Sequence, residues 1–142
     1  MNNKNLARQL KKVSDTIFEH GSPWTESQFE SQLMQANTEI IYHCEDDEMI
    51  GYIICQRVLD EAELLLIGVI PSYKHRGIAT QLLKDMCQRL KQKKVSHLFL
   101  EVRVKNIEAI SFYDKHGFKE LGIRKNYYKH PSDDAKIMQL EI

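Results

Sequence analysis

The chain has 142 residues, of which 42% are apolar and 28% charged, a composition expected of a globular protein. A single domain over residues 1–142 is expected, long enough to bury about 68–70% of its unfolded surface. Lys+Arg and Asp+Glu both number 20, so no basic surplus points to direct nucleic-acid binding.

Three cysteines (Cys44, Cys55 and Cys87) form no C-x-x-C pair, which favours reduced thiols and a cytoplasmic setting over a disulfide framework. The six histidines show neither H-x-x-x-H nor Cys/His ligand spacing, so no metal site is expected. The polar start "MNNKNLARQLKK" lacks the apolar core of a signal peptide. No apolar run approaches the ~18 residues of a membrane span, and no membrane association is expected.

In chain order, Leu6, Leu10, Val13 and Ile17 recur at helical spacing and predict a first helix with one buried stripe. Gly21 and Pro23 break it, and Thr25 followed by Gln28 reads as a capping box for a second, short helix carrying Phe29 and Leu33. From Glu39 the period changes: "EIIYHC", "EDDE" and "MIGYIICQRV" predict a hairpin across an acidic turn. "LDEAE" is read as the next turn and "LLLIGV" as a third strand, stopped at Pro71-Ser72. Ile78, Leu82, Leu83, Met86, Cys87 and Leu90 make the apolar face of a helix whose end carries Lys91, Lys93 and Lys94, suited to its dipole. "VSHLFLEVRV" predicts a fourth strand, and a short helix lies between Asn106 and a C-terminal Gly117. "FKELGIR" and "AKIMQLEI" predict two closing strands around a loop, "KNYYKHPSDD". The order implies an α/β (α+β) fold around one mixed sheet.

One stretch stands apart. "YKHRGIAT" puts bases, a glycine and small residues where a strand gives way to a helix. Helix N-termini present unpaired N–H groups and partial positive charge, and Gly77 permits the close approach an anion needs. The stretch is too short for a P-loop and lacks G-x-G-x-x-G. Taken alone, such a stretch is more often the start of an ordinary helix.

Its neighbours along the chain change that reading. "GVIPSYKHRGIATQLL", "LEVRVKN" and "NIEAISFYDKHGF" occur in that order, and together they resemble the GNAT superfamily of N-acetyltransferases over roughly residues 38 to 142. "SPWTESQF" and "RKNYYKHPSDDAKIM" are similar to a family within it, the ribosomal-protein-alanine N-acetyltransferases. The resemblance implies a single domain with a mixed, mostly antiparallel sheet flanked by helices, and acetyl-CoA as co-substrate. It also implies transfer to the α-amine of a protein N-terminus, alanine on a ribosomal protein.

Residue by residue, it implies that His75, Arg76, Gly77, Ile78, Ala79 and Thr80 hold the pyrophosphate. Ile67, Gly68 and Val69 would pair their backbone with the pantetheine, one N–H polarising the thioester oxygen. Asn106, a natural N-cap, would also bond the cofactor's amide arm. Glu101 matches the general base and Tyr113, also a cofactor contact, the acid that protonates the leaving thiolate. Trp24, Tyr127 and Tyr128 would line the peptide side. An α-amine near pKa 7.7–8.0 is far more often neutral at pH 7 than a lysine near 10.4, so one carboxylate acting through water suffices. Two alternatives remain open: transfer to a small amine or a lysine, and a non-catalytic acyl-CoA-binding module that regulates a partner.

Overall fold

Leu6, Ala7, Leu10 and Val13 form the buried stripe of helix α1 (Asn3–Ile17), which Asn2 caps through its side chain. Helix α2 (Glu26–Leu33) starts with the expected capping box: Thr25 accepts from the Gln28 N–H while Gln28 accepts from the Thr25 N–H. The computed structural model describes residues 1–142.

Strands β1 (Thr38–Glu45) and β2 (Glu48–Val58) join across Asp46 and Asp47, both at positive φ, as a two-residue hairpin with matching twist requires. Strand β3 (Glu61–Val69) begins earlier than the sequence suggests. The turn is only Leu59 and Asp60, because Val58 pairs with Glu61. "EAE" is therefore strand, with Ala62 buried and its two glutamates on the other face. A 3₁₀ turn (Pro71–Tyr73) leads to helix α3 (Ile78–Gln92), then β4 (His97–Arg103) and α4 (Ile107–Lys115). Strands β5 (Lys119–Tyr128) and β6 (Asp133–Glu141) close the chain.

The second correction concerns the last hairpin. Tyr127 and Tyr128 lie at the end of β5 and not in a loop, because Tyr128 pairs with Asp133. Between Arg124 and Tyr128 the register shifts, Asn126 takes φ +52°, and its N–H donates to Asp134 Oδ1 at 2.8 Å. That bond anchors an irregular strand which composition alone presents as a loop.

The six strands form one sheet in the order β1-β2-β3-β4-β6-β5, antiparallel except where β3 meets β4. Helices α3 and α4 cover one face through Leu82, Met86, Leu90, Ile110 and Tyr113, while α1 and α2 cover the other through Leu10 and Phe29. Two buried polar links hold the layers. Ser14 Oγ and Tyr52 Oη lie 2.7 Å apart between α1 and β2. Glu39, 5% exposed, meets Lys93 at 2.6 Å and Arg57 at 2.9 Å, with Arg89 at 3.8 Å. Lys93 thus does more than complement a helix end. It ties α3 to β1.

No helix is long and apolar enough to cross a membrane.

Candidate active site

The one parallel pairing is short. Strands β3 and β4 are in register only over Glu61–Glu63 and His97–Phe99. Just beyond, β3 accommodates an extra residue: Ile54 pairs with Leu66 but Cys55 with Leu64, leaving Leu65 over. Such a bulge bends its strand and adds local twist. From Leu64 to Val69, β3 consequently runs with its β4-side edge unpaired, and that segment includes Ile67, Gly68 and Val69. Gly68 also sits directly under α1, since a Cβ there would lie 2.7 Å from Ile17 Cγ2.

The open edge leads to the start of α3. Gly77 is the N-cap, at φ +78°, and a Cβ built on it meets nothing within 4 Å. His75 is also left-handed, at φ +65°. None of the backbone N–H groups from His75 to Thr80 donates to an acceptor in the chain, and no acidic residue occupies the first helical turn. These donors are uncompensated within the chain, and the space around Gly77 is open. The arrangement fits a phosphate group. Arg76 lies over the Tyr73 ring, 4.8 Å from its centroid, and Thr80 Oγ1 is 3.1 Å from His116 Nε2. Asn106 caps α4, accepting from the Ala109 N–H at 3.1 Å.

Along β4 side chains alternate. Leu98, Leu100 and Val102 enter the core beneath α3 and α4, which directs Phe99, Glu101 and Arg103 to the opposite face. There a cleft of about 340 Å³ is lined by Gln56, Glu61, Glu63, Phe99, Glu101 and Ile137, among others. Glu101 Oε1 accepts from Arg124 Nη1 at 3.3 Å, while Oε2 is buried with no hydrogen-bond partner. Burial, then the charge of Glu101, pushes the Glu63 carboxyl above its ordinary value. Reading "LDEAE" as a turn misses Glu63. Strict alternation around Ala62 is the signal that puts it on the outer face of the strand, and the β3–β4 register then brings it near Glu101.

Tyr113 lies on the other side of β4, 7% exposed, packed edge-on against Phe112 and Phe118. Burial raises its pKa, and the neighbouring Cys55 thiol and Tyr128 phenol add to the rise. Its hydroxyl therefore stays protonated at any physiological pH. Tyr128, raised to about 12 by burial and then by Glu101, has Arg103 over its ring at 4.3 Å. Tyr127 lies under Arg124, also at 4.3 Å. Trp24 packs on Phe29 in the α1–α2 cluster, and no aromatic contact joins it to the two tyrosines. The expected site residues thus spread over the open β3 edge, the α3 N-terminus, Glu101 on β4, Asn106 and Tyr113 of α4, and Tyr127 and Tyr128 stacked with Arg124 and Arg103, while Trp24 stands apart in the α1–α2 cluster.

A six-stranded mixed sheet that splays beside an anion-receptive helix start is the frame of an acyltransferase. The model of the acetyltransferase (GNAT) family matches residues 7–118, and the chain belongs to that family. It is similar to the ribosomal protein bS18-alanine N-acetyltransferase of Escherichia coli (strain K12), with 38% identity over 126 residues, covering 87% of this chain and 84% of that one. The crystal structure of the Escherichia coli ribosomal-protein-S18-alanine N-acetyltransferase superposes with a TM-score of 0.86 at 34% identity, over 96% of this chain and 87% of that one. A GNAT family acetyltransferase from Elizabethkingia anophelis, solved with acetyl-CoA bound, shares the fold at a TM-score of 0.73 and 21% identity, covering 89% of this chain and 95% of its own.

Proposed function

We propose that this chain acetylates the α-amine of a protein N-terminus, alanine-first and belonging to a ribosomal protein, with acetyl-CoA as the donor. The acceptor is the one for which its relatives are named. The observation that carries the reading is Glu101: a carboxylate in a cleft beside the strand divergence, with one oxygen buried and unpaired. A buried carboxylate oxygen without a donor is costly unless something arrives to use it. An incoming ammonium, or the water that relays its proton, is such a donor.

Acetyl-CoA supplies the thioester carbon that the amine attacks. The N–H groups of residues 75 to 80 receive its pyrophosphate, and Arg76 and His75 add basic groups. The free edge of Ile67, Gly68 and Val69 offers strand-like pairing to the pantetheine, and an N–H for the thioester oxygen. Asn106 keeps its amide N–H groups for the same arm, since only its carbonyl oxygen is used in capping. Glu101 accepts the amine's proton through a water as the C–N bond forms. Tyr113 gives its phenolic proton to the sulfur as the C–S bond breaks. Trp24, Tyr127 and Tyr128 bound the acceptor side.

A panel of peptides tests the acceptor. A peptide with a free N-terminal alanine is acetylated at that amine, as mass spectrometry reads directly. The same peptide with a blocked N-terminus and an internal lysine is left unmodified. Acetylation of the lysine alone would overturn the reading in favour of a lysine or small-amine acceptor.

A further inference from the structure

Thr80 belongs to the first turn of α3, and its hydroxyl is the one side-chain group there that hydrogen-bonds another element. Its partner, His116 Nε2, comes from the C-cap of α4, 36 residues on, with the ring packed edge-on against Phe112 at 4.5 Å. A threonine hydroxyl has one proton to give. If Nε2 carries a proton, it donates to Thr80 Oγ1, and the hydroxyl proton is free for an anion at the helix start. If Nε2 is bare, Thr80 donates to the ring and turns only lone pairs toward that anion.

We infer that His116 is a positioning residue of the pyrophosphate site, setting through Thr80 whether that site gains or loses a side-chain donor. The inference rests on the reading of the α3 N-terminus as the pyrophosphate site. Anion binding selects the arrangement with Nε2 protonated, and favours the imidazolium further by its charge. Burial of the free ring, then the cations Lys115 on α4 and Lys84 on α3, hold His116 below its ordinary value. The free ring therefore takes up a proton less readily than an ordinary histidine. A bound pyrophosphate raises its pKa, and by reciprocity acidification tightens binding. His75, exposed in the loop itself, is the other histidine close to the site, and any test must separate the two.

Dephospho-CoA is the probe, because it lacks the 3′-phosphate that would itself titrate in this range. Calorimetry between about pH 8 and pH 5 should show wild-type affinity rising about threefold, the scale of one charge near a helix terminus. His116→Gln keeps a hydrogen bond to Thr80 without a titrating proton, so it should match wild type at the alkaline end and lose the part of the rise not due to His75. NMR titration of the wild-type His116 ring needs no variant: its pKa should move upward on saturation with the probe. Equal pH slopes in wild type and His116→Gln, or an unmoved ring pKa, would overturn the role of His116. Absence of dephospho-CoA binding to wild type at every pH would instead remove the pyrophosphate site, and this inference with it.

Discussion

Arg124 Nη1 stands 3.3 Å from Glu101 Oε1 and leaves Oε2 untouched. A half-satisfied carboxylate in a cleft is a stability cost, and under the proposed function the same carboxylate is the base. Glu101→Gln should therefore lower turnover about 10²–10⁴-fold while acetyl-CoA affinity and the urea midpoint are unchanged or improved. Tyr113→Phe should lose rate on the same scale. Stopped-time acetylation assays beside calorimetry and urea melts read all three quantities. Wild-type rates in both variants would remove Glu101 and Tyr113 from the chemistry and require a different mechanism for the transfer.

Gly77 has open space around it but a left-handed backbone, so substitution there strains the chain without a clash. Gly77→Val should weaken acetyl-CoA binding tenfold or more, about 1.4 kcal/mol, by crowding the unpaired N–H groups and pulling φ negative. Gly77→Ala, with less bulk and the same sign of strain, should fall between. Calorimetric titration of folded variants checks the order.

Glu39 predicts an acid-sensitive joint. Burial alone would raise its pKa, yet the hydrogen bonds from Lys93 and Arg57 outweigh it and hold the carboxyl below its ordinary 4.5. A depressed folded pKa means stability that is present above the unfolded value and lost as pH falls through the folded one. Glu39→Gln should destabilise by about 1.5–3 kcal/mol at neutral pH, the scale of charge-assisted hydrogen bonds. The deficit should shrink below about pH 4. Urea unfolding of both proteins across that range measures it.

Ser14 and Tyr52 form a closed pair, 2.7 Å apart and fully buried. Ser14→Ala strands the Tyr52 hydroxyl and should cost about 1–3 kcal/mol, whereas adding Tyr52→Phe should recover part of that loss. A double-mutant cycle tracked by thermal unfolding gives the coupling.

Much of this molecule is legible in local sequence because local chemistry decides it. The stripe Leu6-Leu10-Val13, the Thr25–Gln28 box and the Asn106-to-Gly117 helix each carry their own start, face or stop. The helix start at Gly77 is legible for the same reason. Turns settled by strand pairing are not. Leu59 at φ +58° is an unusual residue for a two-residue turn, so the whole of "LDEAE" looks like the turn. The irregular end of β5 depends on Asp134 reaching Asn126, which no window of composition contains. The meeting of Glu63 and Glu101 depends on the β3–β4 register, which sets Glu63 beside Phe99. The motif resemblance supplies Glu101, but nothing local supplies its neighbour.

Leu65, the unmatched residue of β3, also carries a consequence for amide exchange. A strand that keeps one ladder and forgoes the other protects only every second N–H. Beyond the bulge, between Leu66 and Val69, exchange should therefore alternate, with slow amides turned to β2 and fast ones turned to the gap. A ligand lying along that gap would slow the fast set and leave the slow set alone. Removing Leu65 would restore continuous register with β2 and let β3 follow β4 further, so the alternation would fade even without ligand. On this account the opening in the sheet hangs on a single residue of β3, and the exchange pattern of a Leu65 deletion is what would show it.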